Sequence, residues 1–202
     1  MKSSQFLTTS RAVDIFDEVI SCRRMFCADN EFFRMTEFWE DLCDEGGRWS
    51  IKTYRSNLSD DFKRKAGVIA FGDRVTLTVD EKLVANAKDG CKLSNFILAH
   101  EMGHIALDHH AKGAVTKNFQ LFAGPSGMSN LPPTLEELET NYAAVFLQCG
   151  VALMDPRLDA VQLAHRAFSD VYYVRKAQKV VQLEVFQRLL NRPKRIYERA
   201  IL

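Results

Sequence analysis

The chain has 202 residues, 47% of them hydrophobic and 26% charged, with formal net charge +1. That length supports one well-buried domain, or one with a small appendage, and a charge near zero removes any general electrostatic case for nucleic acid or an anionic membrane as partner. No run approaches the eighteen or so apolar residues of a membrane span, and MKSSQFLTTSRAVDIF at the amino terminus lacks a signal peptide's apolar core.

Five cysteines, Cys22, Cys27, Cys43, Cys91 and Cys149, are odd in number and form no close CxxC pair. They read as reduced thiols of a cytoplasmic protein. Residues 11–43 read as two helices. Val13, Phe16, Val19 and Ile20 keep helical spacing in the first, and Phe32, Met35, Phe38, Trp39 and Leu42 in the second. The aromatic density of the second is read as core packing, and Asp44-Glu45-Gly46-Gly47 as its end. Trp49 to Tyr54 alternates like a strand, and residues 55–65 are polar enough for a solvated loop.

Ala66 to Val79 predicts a hairpin turning at Phe71-Gly72-Asp73-Arg74. Its second arm contains Val75, Thr76, Leu77 and Thr78, and is expected to be an edge strand that pairs with an extended peptide substrate. A plain sheet edge is the alternative. Asp80 can cap a short helix to about Lys88, with Asp89-Gly90 as the break after it.

Ser94 to His110 then carries His100-Glu101-Met102-Gly103-His104. On a helix, residues four apart share a face, so His100 and His104 can bind Zn²⁺ at about 2.0–2.1 Å from each nitrogen. Glu101 would lie beside the open coordination position as general base. Phe96, Ile97, Leu98, Ala99, Ile105, Ala106 and Leu107 make the segment apolar almost all round, as in a buried helix. His109 and His110 project from other helical faces and are read as surface histidines, excluded as ligands.

Residues 111–133 hold Gly113, Gly124, Pro125, Gly127, Pro132 and Pro133, and predict a long loop. Phe119, Leu121 and Phe122 could fold back over the core or wall a cleft there. Thr134 to Met154 reads as one long helix. A zinc site with two histidines needs a third protein ligand, and Glu137 is the first choice. Asn141 and Ala144 share its face, and Asn141 could hydrogen-bond a ligand imidazole. Thr134-x-x-Glu137 is equally a capping box. Glu139, roughly 160° round the helix, is therefore the alternative metal ligand, with Glu136 behind both.

Asp155-Pro156 closes that helix. Residues 157–202 predict further helices, with Ser169-Asp170 as a helix-turn-helix-like break. Basic residues accumulate there, from Arg175 and Lys176 to Lys194, Arg195 and Arg199, and read as a solvated face in preference to a DNA contact.

AHEMGHIALDHH resembles the Ala-His-Glu-Leu-Gly-His signature of the ImmA/IrrE family of bacterial and phage metallopeptidases, and LEELETNYAA resembles its Glu-x-Glu-Ala-Asn-x-Phe-Ala segment. VTLTVDEKL and SNFILAHE match its strand-helix lead-in, and QLAHRAFSDVYYVR its helical tail. Thr140 stands where alanine is usual. ALMDP resembles the family's Leu-Leu-Met-Pro but arrives late, implying a longer helix.

The resemblance implies an α+β, zincin-like metallopeptidase fold: a small antiparallel sheet, a central His-Glu-x-x-His helix and a helical carboxy-terminal part. It implies a gluzincin-like site with one Zn²⁺ per chain, held by His100, His104 and Glu137. Residues 1–156 would be the metallopeptidase domain, and 157–202 an extension packed on it. The expected activity is hydrolysis of a regulatory protein, such as a helix-turn-helix repressor. The alternative is a non-proteolytic, zinc-stabilised regulator or toxin-antitoxin component that binds protein or DNA.

Overall fold

The computed structural model describes residues 7–44, 47–55, 66–71, 74–109, 117–118 and 134–192. Helix α1 (Thr9–Arg23) starts where the Thr8 hydroxyl accepts a hydrogen bond from the Arg11 amide, and it buries Ala12, Phe16, Val19, Ile20 and Arg23 along one stripe. Helix α2 (Met35–Asp44) buries Met35, Phe38, Trp39 and Leu42, and Phe38 packs on Phe26 and Phe33, with ring centres 4.7 and 5.2 Å away. The aromatic cluster is core, as expected.

Strands β1 (Trp49–Tyr54), β2 (Ala66–Phe71), β3 (Arg74–Asp80) and β4 (Lys117–Asn118) form one sheet in the order β1-β3-β2-β4. The hairpin is present, with Phe71 opposite Arg74 and Ala66 opposite Val79. The sheet is mixed where an antiparallel one was expected, because β1 runs parallel to β3 from Trp49 opposite Val75 to Tyr54 opposite Asp80.

This corrects the edge-strand reading. Val75, Thr76, Leu77 and Thr78 lie in a central strand whose two flanks are paired with β1 and β2, so no edge is left there for a substrate backbone. Alternation reports which face of a strand is buried and is blind to its neighbours. Val75, Leu77 and Val79 are indeed buried, while the Thr76 hydroxyl lies 2.9 Å from that of Ser50 on β1.

Helix α3 (Glu81–Lys88) is capped by Asp80, whose carboxylate accepts from the Lys82 amide at 2.8 Å, and Gly90 at φ +84° turns the chain into α4 (Lys92–Ala106). Buried Asn95 joins three elements. Its Oδ1 accepts from the Met35 amide at 2.8 Å, while its Nδ2 donates to the Ala87 and Cys91 carbonyls. α4 is buried almost throughout from Ser94 to Ile105.

α4 stops at Ala106, short of the His110 to which a continuous helix would run. Asp108 takes the left-handed conformation, φ 51°, one that aspartate tolerates better than most residues. The His109 amide then donates back to the His104 carbonyl at 3.0 Å, and the Asp108 amide to Ile105. This is a Schellman ending, and it folds His109 back under the helix.

Helix α5 (Leu135–Cys149) packs on α1 and α4. It too is shorter than expected, giving way to a 3₁₀ turn, Gly150–Met154. The cause is Arg23, wholly buried, whose Nε donates to the Leu147 carbonyl at 3.0 Å. Its guanidinium also donates to the Ala28 and Glu31 carbonyls. Gly150 lies beneath it at φ +56°, where an added Cβ would sit 3.0 Å from Nε.

Helices α6 (Ala160–Arg166), α7 (Val171–Val181) and α8 (Glu184–Leu190) complete the description. Asp159 and Gln162 form a capping box on α6, and Asp170 caps α7. Ser169 donates to Gln148 of α5 at 2.8 Å, and Phe16 packs edge-on against Phe146 and Phe186. Arg175, Lys176 and Lys179 are exposed; Lys194, Arg195 and Arg199 lie outside the described residues. So do Phe119, Leu121, Phe122 and most of the long loop. Among the described residues no helix is long and apolar enough to cross a membrane.

Candidate metal centre

The site lies where α4 crosses α5, and Gly103 sets how close they come. A Cβ there would sit 3.0 Å from the Thr140 methyl, 3.1 Å from its carbonyl oxygen and 3.2 Å from the Ala143 Cβ. Glycine therefore lets the α5 backbone lie directly on α4.

His100 and His104 are buried on the shared face, their Nε2 atoms 3.1 Å apart. Glu137 reaches them from the first turn of α5. Its Oε2 is 3.2 Å from His100 Nε2, and its Oε1 is 3.7 Å from His104 Nε2. The Glu137 amide is still capped by the Thr134 hydroxyl at 3.2 Å. Cap and cluster thus coexist, because the amide serves the first and the carboxylate the second.

These three residues are the group among the described residues that could hold a metal ion, with ligand atoms all within 4.8 Å of one another. The fit is good on chemical grounds. An ion about 2.0–2.1 Å from each donor in a tetrahedron separates neighbouring donors by about 3.3 Å, and the spacings above bracket that value. None of the five cysteines belongs to the group, and burial pushes the Cys22 thiol up to about 11.

Asn141, one turn beyond Glu137, places its Oδ1 3.1 Å from His100 Nδ1. An amide oxygen accepts, so this nitrogen carries the proton and Nε2 is left with its lone pair facing Glu137 and His104. Burial holds the His100 pKa below its ordinary value, against the opposing pull of Glu137 and Asn141, and a neutral imidazole is the form that ligates.

Glu101 is fully buried, and neither carboxylate oxygen has a hydrogen-bond partner among the described residues. Burial, reinforced by the Glu137 carboxylate, pushes its pKa well above the ordinary range. A partnerless buried carboxylate is costly unless a positive charge or a polar ligand comes to it. It is a second sign that this pocket is built around a cation.

Glu139, the alternative ligand, is turned away. Both its oxygens are taken by Arg11 of α1, from Nε at 3.0 Å and Nη2 at 2.8 Å, and the Arg11 hydrogen bond, ahead of the opposing effect of burial, holds its pKa below the ordinary value. It stands outside the His/His/Glu group, as Glu136 does.

His109 is the residue that sequence reasoning missed. It is buried, where a surface histidine was expected. Its Nδ1 is 3.1 Å from His104 Nδ1 and its Nε2 is 3.4 Å from Glu139 Oε2. The available signal was Asp108, which can end a helix in the left-handed conformation. No local signal points to Arg11, 128 residues from its partner. His110 lies outside the described residues.

Residues 55–170 match a family model, that of peptidase family M48. Comparison with curated proteins returns no match, and neither does comparison with solved structures. The matched span exceeds half the chain and contains α4 and α5, hence the whole His/His/Glu group. The likeness to ImmA/IrrE stays with the motifs that carry it. The chain belongs to peptidase family M48, a family of metal-dependent peptidases.

Proposed function

We propose that the chain is a zinc-dependent endopeptidase in which His100, His104 and Glu137 hold one Zn²⁺ and Glu101 moves the proton. The observation that carries this reading is Glu101 itself, a buried carboxylate with no hydrogen-bond partner among the described residues, beside three converging side chains that could ligate an ion. When bound, the ion would supply a Lewis acid that polarises a peptide carbonyl and makes a water more acidic.

The chain's own residues supply the rest. Asn141 keeps the proton on His100 Nδ1, so Nε2 stays available. Gly103 lets Glu137 reach across from α5. Glu101 takes the proton of the attacking water and returns it to the leaving amine, and its burial favours that return by holding the carboxyl's proton affinity high. His100, Glu101 and His104 are themselves buried, and a surround of low dielectric strengthens each electrostatic interaction within.

The substrate reading rests on AHEMGH and LEELETNYAA: by their likeness to the ImmA/IrrE motifs, the substrate is a regulatory protein of the repressor type in a bacterium or phage. The cytoplasm is the compartment where such a substrate would be met. Glu101→Gln tests the reaction. The variant is expected to retain one zinc per chain and lose about 10²–10⁴-fold in peptide hydrolysis. Unchanged function in that variant would instead identify the chain as a zinc-stabilised regulator.

A further inference from the structure

We infer that α6, the turn at 167–170 and α7 form a helix-turn-helix unit that lays α7 in the major groove of duplex DNA, with Tyr172, Arg175, Lys176 and Lys179 facing the groove. None of these residues belongs to the metal centre, so DNA binding and metal binding stand or fall separately.

α6 ends at Arg166 and α7 begins at Val171, so four residues join them, the length of turn that sets two helices across one another. Phe168 makes the turn in the left-handed conformation, φ 49°. The Ser169 amide donates back to the Ala164 carbonyl at 3.0 Å, and Asp170 caps the second helix. A bulky residue keeps a positive φ only where its surroundings hold it there. Here the Phe168 carbonyl accepts from Gln148 of α5 at 3.1 Å, and its ring packs beside Gly90 and the Arg34 guanidinium. The inner faces complete the anchoring. Leu163, Ala164, Val174 and Ala177 are buried, and Tyr173 stacks on Phe96 of α4, ring centres 4.4 Å apart. α7 is therefore a fixed helix with one face left outside.

On that face Tyr172, Arg175, Lys176 and Lys179 recur at three, four and seven residues, and all four are exposed. They form one stripe, about 10 Å long at 1.5 Å per residue. The major groove is about 12 Å wide and admits a helix. Lys176 Nζ lies 4.3 Å from the Tyr172 ring centre, and among the described residues no carboxylate pairs with Arg175, Lys176 or Lys179. Cations on a helix face are ordinarily just solvated. Here they stand on the second helix of a helix-turn-helix, the element whose first turns enter the groove, and a pair of helices braced in this way favours duplex DNA over an acidic protein. The attraction is local, since the chain's net charge is only +1.

Fluorescence anisotropy of a mixed-sequence duplex of about 20 base pairs, titrated with the full chain between about 50 and 200 mM salt, tests the contact. Three cations on phosphates should make affinity fall about 40-fold over that range. Replacing Arg175, Lys176 and Lys179 together by alanine should remove the salt dependence and weaken binding at least about tenfold at the lower salt. Each single replacement should lower the salt slope by about 0.9, so a triple variant that failed to fold would leave the test intact. Tyr172→Ala should weaken binding with the slope unchanged. Lys52→Ala, Arg74→Ala and Lys82→Ala combined remove the same charge from other exposed positions and should change affinity by no more than about twofold. Duplex left unbound by about 100 μM protein at the lower salt would overturn the inference. So would equal losses in the two triple variants. Tighter binding of the stripe to the single strand, to polyglutamate or to phosphatidylserine vesicles than to duplex would overturn it as well, and would assign the face to that partner.

Discussion

Glu101 and Glu139 are both buried carboxylates, one on each of the two crossing helices, and their surroundings are opposite. Glu101 has no hydrogen-bond partner among the described residues, and burial raises its pKa. Glu139 is gripped by Arg11 and touched by His109, and its pKa is lowered. Burial alone therefore says little about what a carboxylate does. The side of the site on α4 has been left wanting a charge, while the side on α5 has been satisfied in advance, so the first is suited to chemistry and the second to holding things still.

Four substitutions sharpen that contrast, from the largest expected effect to the smallest. Glu101→Gln should lower peptide hydrolysis by about 10²–10⁴-fold while raising the thermal stability of the metal-free protein, because a neutral amide replaces a costly buried carboxylate. Calorimetry on the metal-free pair checks the second half; a lower melting temperature in the variant would mean that Glu101 has a partner after all. Asn141→Ala removes the acceptor on His100 Nδ1 and should cost about 10–100-fold in zinc affinity, measured by Zn²⁺ competition with a chromophoric chelator. Gly103→Ala forces a methyl against the Thr140 carbonyl. It should cost about 1–3 kcal/mol in denaturant unfolding and weaken metal binding as well, since both carboxylate-bearing helices must part. Asp159→Ala, at the cap of α6 and remote from both carboxylates, should cost about 1 kcal/mol with zinc affinity unchanged.

Much of the site was legible because its geometry is local. His100 and His104 are one helical turn apart, as are Glu137 and Asn141, and each pair lands on one face. The Asp80 cap and the 66–79 hairpin are short-range features of the same kind. Where reading failed, the deciding partner was distant. The parallel neighbour of β3 is some 25 residues upstream by register, Trp49 against Val75, and nothing in Val75–Thr78 announces it. α5 stops at Cys149 because the buried guanidinium of Arg23 occupies the space over Gly150. The preference for Glu137 over Glu139 comes from the face it shares with Asn141, but what holds Glu139 away, Arg11 on α1, leaves no trace in the α5 sequence. His109 is an intermediate case. One left-handed residue, Asp108, changes it from a solvent-facing side chain into the buried neighbour of His104.

The central claim is that a single ion sits among His100, His104 and Glu137. Zinc titration of the metal-free wild type and of Glu137→Ala, side by side under chelator competition, tests it most directly. The account predicts one tightly bound ion per chain in the wild type and a loss of well over tenfold in affinity when the Glu137 carboxylate is removed. Equal stoichiometry and equal affinity in the two proteins would contradict it.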